Sequence, residues 1–161
     1  MKTAGLFLLF LSVCSAGFLI SNDYILILKE ARRTEELLKN ILIGIRSENI
    51  SLSEIFEKIS DSCDSKTKEF IKNLNYKDFQ KIDSYILKSG FCKNRTIINI
   101  LSKAFSVLGR YSASEQISEI ESCIALVQAF YEKNEDEILS KSKLFKSFGI
   151  LMGLLAVILS I

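Results

Sequence analysis

The sequence contains no proline, no histidine and no tryptophan, and only 7 of its 161 residues are glycine. Because proline and glycine are the residues that most often interrupt helices, we expect long helices. The absence of histidine removes the commonest metal ligand and the commonest general base. The formal net charge is only +2, with acidic and basic residues mixed, so the composition gives no nucleic-acid-binding signature.

Motifs of known enzyme sites are also missing. The chain has no GxxxxGK[ST], GxGxxG, HExxH or GxSxG pattern. We therefore expect no catalytic residue, no cofactor, no metal site and no small-molecule substrate. The four cysteines make no CxxC pair; Cys63, Cys92 and Cys123 are expected to be buried, reduced thiols, since a disulfide would require an oxidising compartment.

Charge is absent from both ends of the chain, in Thr3–Asn22 and in 147–161, which are mostly apolar. At ~1.5 Å per helical residue the first stretch is long enough to cross a hydrocarbon core of ~30 Å. The second is shorter, and it spans if the lysines before it reach the headgroups or if the bilayer thins locally. A buried core helix is the alternative. We predict two membrane spans, with domains 1–28, 29–146 and 147–161.

A cleaved signal peptide is the alternative for the N-terminal stretch. Lys2 would be its basic region, Leu6–Val13 its apolar region, and Ala16 the residue before the cut. Apolar sequence continues beyond that position, through Phe18–Ile20, and resumes after Asp23. We therefore favour a retained span. The alternative is a secreted helical protein whose C-terminal stretch is an anchor or a core helix.

Basic residues flank both apolar stretches on the side of the middle domain. They are Lys29, Arg32 and Arg33 after the first stretch, and Lys141, Lys143 and Lys146 before the second. On the opposite sides of the two stretches, away from the middle domain, the only basic residue is Lys2. Since loops rich in lysine and arginine stay in the cytoplasm, the middle domain is predicted to be cytoplasmic, with both termini across the membrane.

The middle domain shows helical periodicity, and strand alternation is weak. Ser51 and Glu54 form a capping box that starts one helix. Gly90 and Gly109 are expected to end helices in the left-handed conformation, and Leu87 is expected on the apolar face of the helix that ends at Gly90. The predicted fold class is all-α: a compact cytoplasmic helical bundle between an N-terminal and a C-terminal transmembrane helix.

The segment LGRYSASEQ has the features of a tight helix–turn–helix corner. Gly109 closes one helix, and Ser112 with Glu115 forms a second capping box. Arg110, exposed by its position, is a candidate partner contact. No helix breaker follows before Gly149, so one long helix is expected to run from the corner into the C-terminal stretch. Its heptad-like spacing would suit a partner helix, although packing within the domain is favoured for its first half.

An acidic run, EKNEDE, lies on this long helix. Its acidic residues are Glu132, Glu135, Asp136 and Glu137. A solvated helix face is the favoured interpretation, and an acidic docking patch for a basic partner is the alternative.

The corner LGRYSASEQ, the long polar helix and the closing segment KLFKSFGILMGLLAVILSI together carry a family resemblance. In the order and spacing of its parts over the whole length, and most specifically from Leu101 to Ile161, the chain resembles the stage III sporulation protein AB family of spore-forming bacteria. There it has that family's "LG…Q" corner and "K…LG…G" closing anchor. The first half matches only in pattern, and it lacks the proline that the family has after the first span. The matching positions are Gly109, Gln116, Lys146, Gly149 and Gly153.

The soluble part of that family is similar to the helical cytoplasmic domains of type II secretion and type IV pilus platform proteins. The resemblance implies a non-enzymatic platform in the mother-cell membrane, within an export-like complex that links mother cell and forespore. Its partners would be a secretion-type ATPase and other membrane components, without nucleic acid, and self-association is left open. A membrane-bound enzyme is a weaker hypothesis, which would require acidic residues clustered in a closed pocket.

Overall fold

The computed structural model describes residues 2–47, 50–74, 79 and 82–159. Within this part of the chain there are six helices and no strand, so the all-α prediction is confirmed. The helices are α1 (Lys2–Arg46), α2 (Leu52–Ser62), α3 (Ser65–Lys72), α4 (Ile82–Ser89), α5 (Arg95–Val107) and α6 (Ala113–Leu159).

The chain divides into two compact units. Met1–Leu28 and Lys133–Ile161 make up the first unit, and Lys29–Glu132 makes up the second. Helices α1 and α6 therefore contribute to both units, whereas α2 to α5 belong to the second alone. The domain limits predicted from the sequence separate membrane-spanning segments from a cytoplasmic domain. The division into two compact units does not test that assignment, so those limits remain predictions.

The second unit has an apolar core to which all six helices contribute. Aromatic rings stack at its centre, with the ring centroids of Phe70 and Phe91 4.4 Å apart and those of Phe56 and Phe105 6.0 Å apart. Removal of this apolar surface from water is the main force that holds the short helices together. The largest fully buried side chains are Phe56, Phe70, Phe91, Phe105, Leu37, Leu38, Ile41, Ile71, Ile86, Ile97, Leu101 and Ile120.

The ends of these helices follow the local sequence signals. Ser51 Oγ accepts a hydrogen bond from the Glu54 N–H at 3.3 Å, and Glu54 Oε2 accepts one from the Ser51 N–H at 3.2 Å. Gly90 and Gly109 have φ angles of 67° and 70°, the left-handed conformation that glycine adopts without steric cost. The predicted capping box and both glycine helix ends are therefore present.

The expected position of Leu87 is wrong. Its side chain is exposed, whereas Ile82 and Ile86 of α4 are buried. Leu87 lies one residue, about 100°, further round the helix than Ile86, which turns it toward solvent. The inner edge of the helix is completed instead by Tyr85, whose hydroxyl donates to the Phe70 carbonyl at 2.6 Å.

Candidate functional site

One side chain closes the corner between α5 and α6. Gln116 Oε1 accepts a hydrogen bond from the Gly109 N–H at 3.3 Å, and Gln116 Nε2 donates to the Tyr111 carbonyl at 2.7 Å. The amide thus bridges the turn from the first turn of α6. Gln116 thus supplies the bonds that hold the turn, and Gly109 supplies its left-handed conformation, with a φ of 70°.

The second predicted capping box starts α6. Glu115 Oε2 accepts a hydrogen bond from the Ser112 N–H at 3.0 Å, and Ser112 Oγ accepts one from the Glu115 N–H at 3.4 Å. The Ser112 hydroxyl also donates to Glu115 Oε2 at 2.7 Å, and these bonds lower the pKa of the Glu115 carboxyl. The turn is therefore fixed at both of its ends.

Two large side chains project from this fixed turn. Arg110 is exposed, and Tyr111, which the sequence analysis did not single out, is 56% exposed. Within the described part of the chain, no carboxylate pairs with the Arg110 guanidinium. Tyrosine and arginine are enriched among residues that dominate binding energy at protein interfaces. An aromatic residue in a turn, outside any apolar stripe, was the sequence signal for Tyr111.

Glu30 of α1 is buried and binds the loop before α5, a contact that the sequence analysis did not predict. This carboxylate is 3% exposed, and its Oε2 accepts hydrogen bonds from the backbone N–H groups of Lys93 at 3.0 Å and Asn94 at 3.1 Å. The Cys92 thiol donates to the same oxygen at 3.2 Å. Burial, together with the Glu30 carboxylate, raises the pKa of the Cys92 thiol, which keeps it protonated and able to donate. Glu30 thereby fixes the loop that leads into α5.

Arg32 and Arg33 of α1 also make contacts within the second unit. Arg33 Nε lies 3.2 Å from Asp64 Oδ2, and Arg33 Nη1 donates to the Phe91 carbonyl at 3.2 Å. Arg32 Nη2 donates to the Tyr131 hydroxyl at 2.6 Å and lies over the Tyr131 ring. Both arginines were proposed from the sequence as membrane-flanking charges. That role remains a prediction, and the structure adds protein partners for each of them.

The lysines proposed as membrane-flanking charges differ from one another. Lys29 is exposed, and Lys141 Nζ forms an ion pair with Glu137 Oε1 at 2.6 Å. Lys143 is exposed and Lys146 is half-buried. Neither of these two forms an ion pair with any residue that the structure describes.

The acidic run does not form one open patch. Glu132 and Asp136, one helical turn apart, are exposed, whereas Glu135 is half-buried. Glu137 is paired with Lys141, and this hydrogen-bonded ion pair lowers the pKa of the Glu137 carboxyl. Glu132 and Asp136 are thus the acidic residues that lie most open to a partner.

Helices α1 and α6 approach each other closely in the first unit. A Cβ atom added to Gly17 would lie 2.8 Å from the Gly149 Cα, so these backbones are in direct contact. The Cys14 thiol donates to the Gly149 carbonyl at 3.7 Å, and the buried hydroxyls of Ser21 and Ser142 are 2.6 Å apart. Small residues at a close helix crossing, with hydroxyls that bond across it, are typical of helix pairs in membranes.

The outer faces of this helix pair are apolar and exposed. Two segments, Phe10–Arg46 and Ala113–Leu159, are long and apolar enough to cross a membrane, and only 22% and 17% of their most apolar windows are buried. The C-terminal stretch is therefore not a core helix of this chain. Among the described residues of the first unit, the exposed large apolar side chains are Phe7, Leu8, Leu11, Phe18, Leu19 and Ile20 on α1, and Leu139, Leu144, Phe148, Ile150, Leu151, Met152, Leu154, Leu155, Ile158 and Leu159 on α6.

These features define an all-α protein with two helices that could cross a membrane, an apolar-cored helical body and an exposed, fixed corner. The family model described as stage III sporulation protein AB matches residues 2–161. The chain belongs to this family, which supports a role in sporulation. Neither the comparison with curated proteins nor that with solved structures gave a match.

Proposed function

We propose that this protein is a membrane-anchored, non-enzymatic platform of a secretion-like complex that is required for sporulation. The observation that carries the proposal is the apolar, outward-facing surface of two long helices at the two ends of the chain. Soluble monomers rarely expose contiguous apolar surface of this kind, whereas lipid covers it at no cost. Membership of the sporulation family supplies the biological setting.

The close crossing at Gly17 and Gly149 supports insertion of the two helices into the membrane as one packed pair. In lipid there is no hydrophobic force between helices, so close van der Waals packing and bonds such as Ser21 to Ser142 provide the association. A platform needs such a fixed anchor, because its partners must meet it in one geometry.

The proposed orientation places the second unit in the cytoplasm, with the anchor in the mother-cell membrane. Lysines precede the second apolar stretch, and the residues after Lys146 carry no charge. Positively charged flanks remain on the cytoplasmic side. Both termini would then lie across the membrane.

The proposed partners are a secretion-type ATPase and other membrane components of the complex. Arg110 and Tyr111 at the corner are the first candidate contact, because they are exposed on a turn that is held by side-chain hydrogen bonds. A docking surface that is already ordered loses little entropy on binding. Glu132 and Asp136 are the second candidate contact, for a basic partner surface.

Cysteine labelling in intact cells tests the orientation. Lys66 and Lys88 are exposed, so a cysteine at either position should react with a membrane-impermeant maleimide only after lysis. A cysteine appended after Ile161, beyond the apolar side chains that lipid is proposed to cover, should react from outside. Labelling of Lys66→Cys in intact cells would show that the proposed orientation is wrong.

Co-purification of the detergent-solubilised full chain with a secretion-type ATPase tests the contact. Arg110→Ala should weaken retention of the ATPase, and Arg95→Ala is the matched control, since Arg95 is also an exposed arginine and lies at the start of α5, away from the corner. Equal retention by wild type and Arg110→Ala would remove the corner from the proposal. No retention by the wild-type chain would remove the ATPase itself.

A further inference from the structure

We propose that Lys143 and Lys146 form a binding site for the phosphate of an anionic phospholipid headgroup, at the polar end of the apolar helix pair. This inference rests on the proposed membrane anchoring and adds a lipid preference to it. The two lysines lie three residues apart on α6 and hence on neighbouring positions of one face. The uncharged segment begins directly after them, at Ser147.

The direction of the helix favours this role. Side chains on an α-helix point back toward its N-terminus. On α6 that direction leads away from the apolar segment, so the ammonium groups of Lys143 and Lys146 are aimed at the headgroup level. Lys146 is half-buried, which is expected when its aliphatic stem lies along apolar surface while its charged end reaches the interface.

The positive charges of Lys143 and Lys146 are not neutralised by a carboxylate among the described residues, so they can bind an anionic headgroup. Lys141, which lies on the same helix, is engaged with Glu137 at 2.6 Å. For Lys143 and Lys146, no carboxylate partner occurs among the residues that the structure describes, and no acidic residue follows Glu137 in the sequence. An unpaired ammonium group at a membrane surface is attracted to the negative charge of anionic lipid.

An aromatic pair marks the same level of the helix pair. The rings of Tyr24 and Phe145 stack with centroids 5.4 Å apart, and Phe145 lies between the two lysines in the sequence. Aromatic rings are enriched at the headgroup level of membrane proteins. The lysines are therefore beside the feature of the first unit that best suits an interfacial position.

Lipid retention by the purified full chain tests the site. The protein would be extracted in detergent, incubated with equal amounts of phosphatidylglycerol and phosphatidylcholine, and analysed by native mass spectrometry. Wild type should retain phosphatidylglycerol in preference. Each lysine is expected to contribute roughly fivefold, so the double variant Lys143→Gln/Lys146→Gln should lose about 25-fold of this preference. The double variant Lys143→Arg/Lys146→Arg should keep the preference, because it keeps both positive charges.

Lys133→Gln is the matched control, because Lys133 is an exposed lysine of the same helix and unit, ten positions before Lys143. An unchanged preference in the double glutamine variant, or an equal loss in the control, would overturn the proposal. Displacement of the lipid by the same concentration of inorganic phosphate would overturn it in favour of a free-phosphate site. A wild-type chain that remains soluble without detergent or lipid would instead contradict the membrane anchoring itself.

Discussion

Two buried polar side chains on α1, Glu30 and Thr34, lie one helical turn apart and differ in how their polar atoms are satisfied. Glu30 accepts two backbone N–H bonds and one thiol bond through a single carboxylate oxygen. Thr34 is fully buried, and its hydroxyl has no hydrogen-bond partner in the described part of the chain. A buried polar atom without a partner costs about 1–3 kcal/mol, so the Thr34 hydroxyl weakens the fold, whereas the hydrogen bonds of Glu30 offset the cost of its burial.

Replacement of Thr34 by valine should therefore stabilise the protein. Valine has nearly the same shape and removes the unsatisfied hydroxyl, so the free energy of unfolding should rise by about 1 kcal/mol and the melting temperature by about 2–4 °C. Thermal unfolding of the full chain in detergent, followed by circular dichroism, measures this change.

The control is Thr67→Val, at an equally buried threonine whose hydroxyl donates to Asp64 Oδ1. This change removes a hydrogen bond that is made, so it should lower the melting temperature. If Thr34→Val lowered the melting temperature as well, the Thr34 hydroxyl would have to be satisfied by a group that the structure does not show, such as a water molecule.

The charge of Asp64 should give the stability a pH dependence in acid. Burial would raise the pKa of this carboxyl, but the hydrogen bonds from Thr67 and the neighbouring Arg33 guanidinium outweigh burial and lower it. A pKa that is lower in the folded state means that the carboxylate stabilises the fold above its unfolded-state pKa of about 4. This contribution is lost as the pH falls through the folded-state pKa.

Asp64→Asn tests this effect, because asparagine can still cap α3 but carries no charge. The variant should be less stable than wild type at pH 7 by at most about 1 kcal/mol, since the side chain is half exposed. The difference should shrink below about pH 4. Asp61→Asn, at a more exposed aspartate with a 3.8 Å ion pair to Lys68, should change less. A constant difference from pH 7 to pH 3 would contradict the proposed charge effect.

At the scale of elements, the tightest approach in the helix pair of the first unit is the contact between Gly17 and Gly149. A Cβ atom on Gly17 would lie 2.8 Å from the Gly149 Cα and 2.9 Å from the Phe145 carbonyl oxygen. Both neighbours are backbone atoms, which cannot rotate away. Gly17→Ala should therefore push the helices apart, at a cost of about 1–3 kcal/mol for overpacking.

Disulfide formation between cysteines placed at Ser21 and Ser142 measures this separation, because their hydroxyl oxygens are 2.6 Å apart. In a background without the native cysteines, oxidation should join the two positions efficiently, and Gly17→Ala should slow the reaction. Gly5→Ala on the same helix is the control, since its added Cβ would meet no atom within 4 Å. Equal rates in the two alanine variants would show that the contact does not hold the pair together.

Local signals predicted the helices of the second unit well, because caps and glycine helix ends act over only a few residues. Ser51 with Glu54 is an example. Contacts between distant parts of the chain had no such signal. Arg33 meets Asp64, which is 31 positions away, and Ser21 meets Ser142, 121 positions away. From the sequence alone Arg33 is only a charge beside an apolar stretch, and its partner is set by the tertiary fold.

On the scale of the whole molecule, α1 and α6 each run without a break through the limit between the two units. The residues of α1 before Lys29 belong to the first unit, and later ones such as Leu38 and Ile41 are buried in the core of the second. The same two helices thus contribute the exposed apolar faces of the first unit and part of the buried core of the second unit, and the chain passes between the units within helices.

This continuity predicts that the N-terminal stretch is retained in the mature protein. Cleavage after Ala16 would remove Phe10 and Cys14, whose side chains lie against Gly153: a Cβ atom there would be 3.0 Å from the sulfur of Cys14 and 3.0 Å from the Phe10 ring. The C-terminal helix would then lose most of its partner, and apolar surface now buried between the helices would be uncovered. Intact-mass measurement on protein from the membrane fraction should therefore give a chain that starts at Met1 or Lys2. A mass corresponding to a start at Gly17 would favour the secreted alternative, and it would leave the helix pair without the contacts that define it.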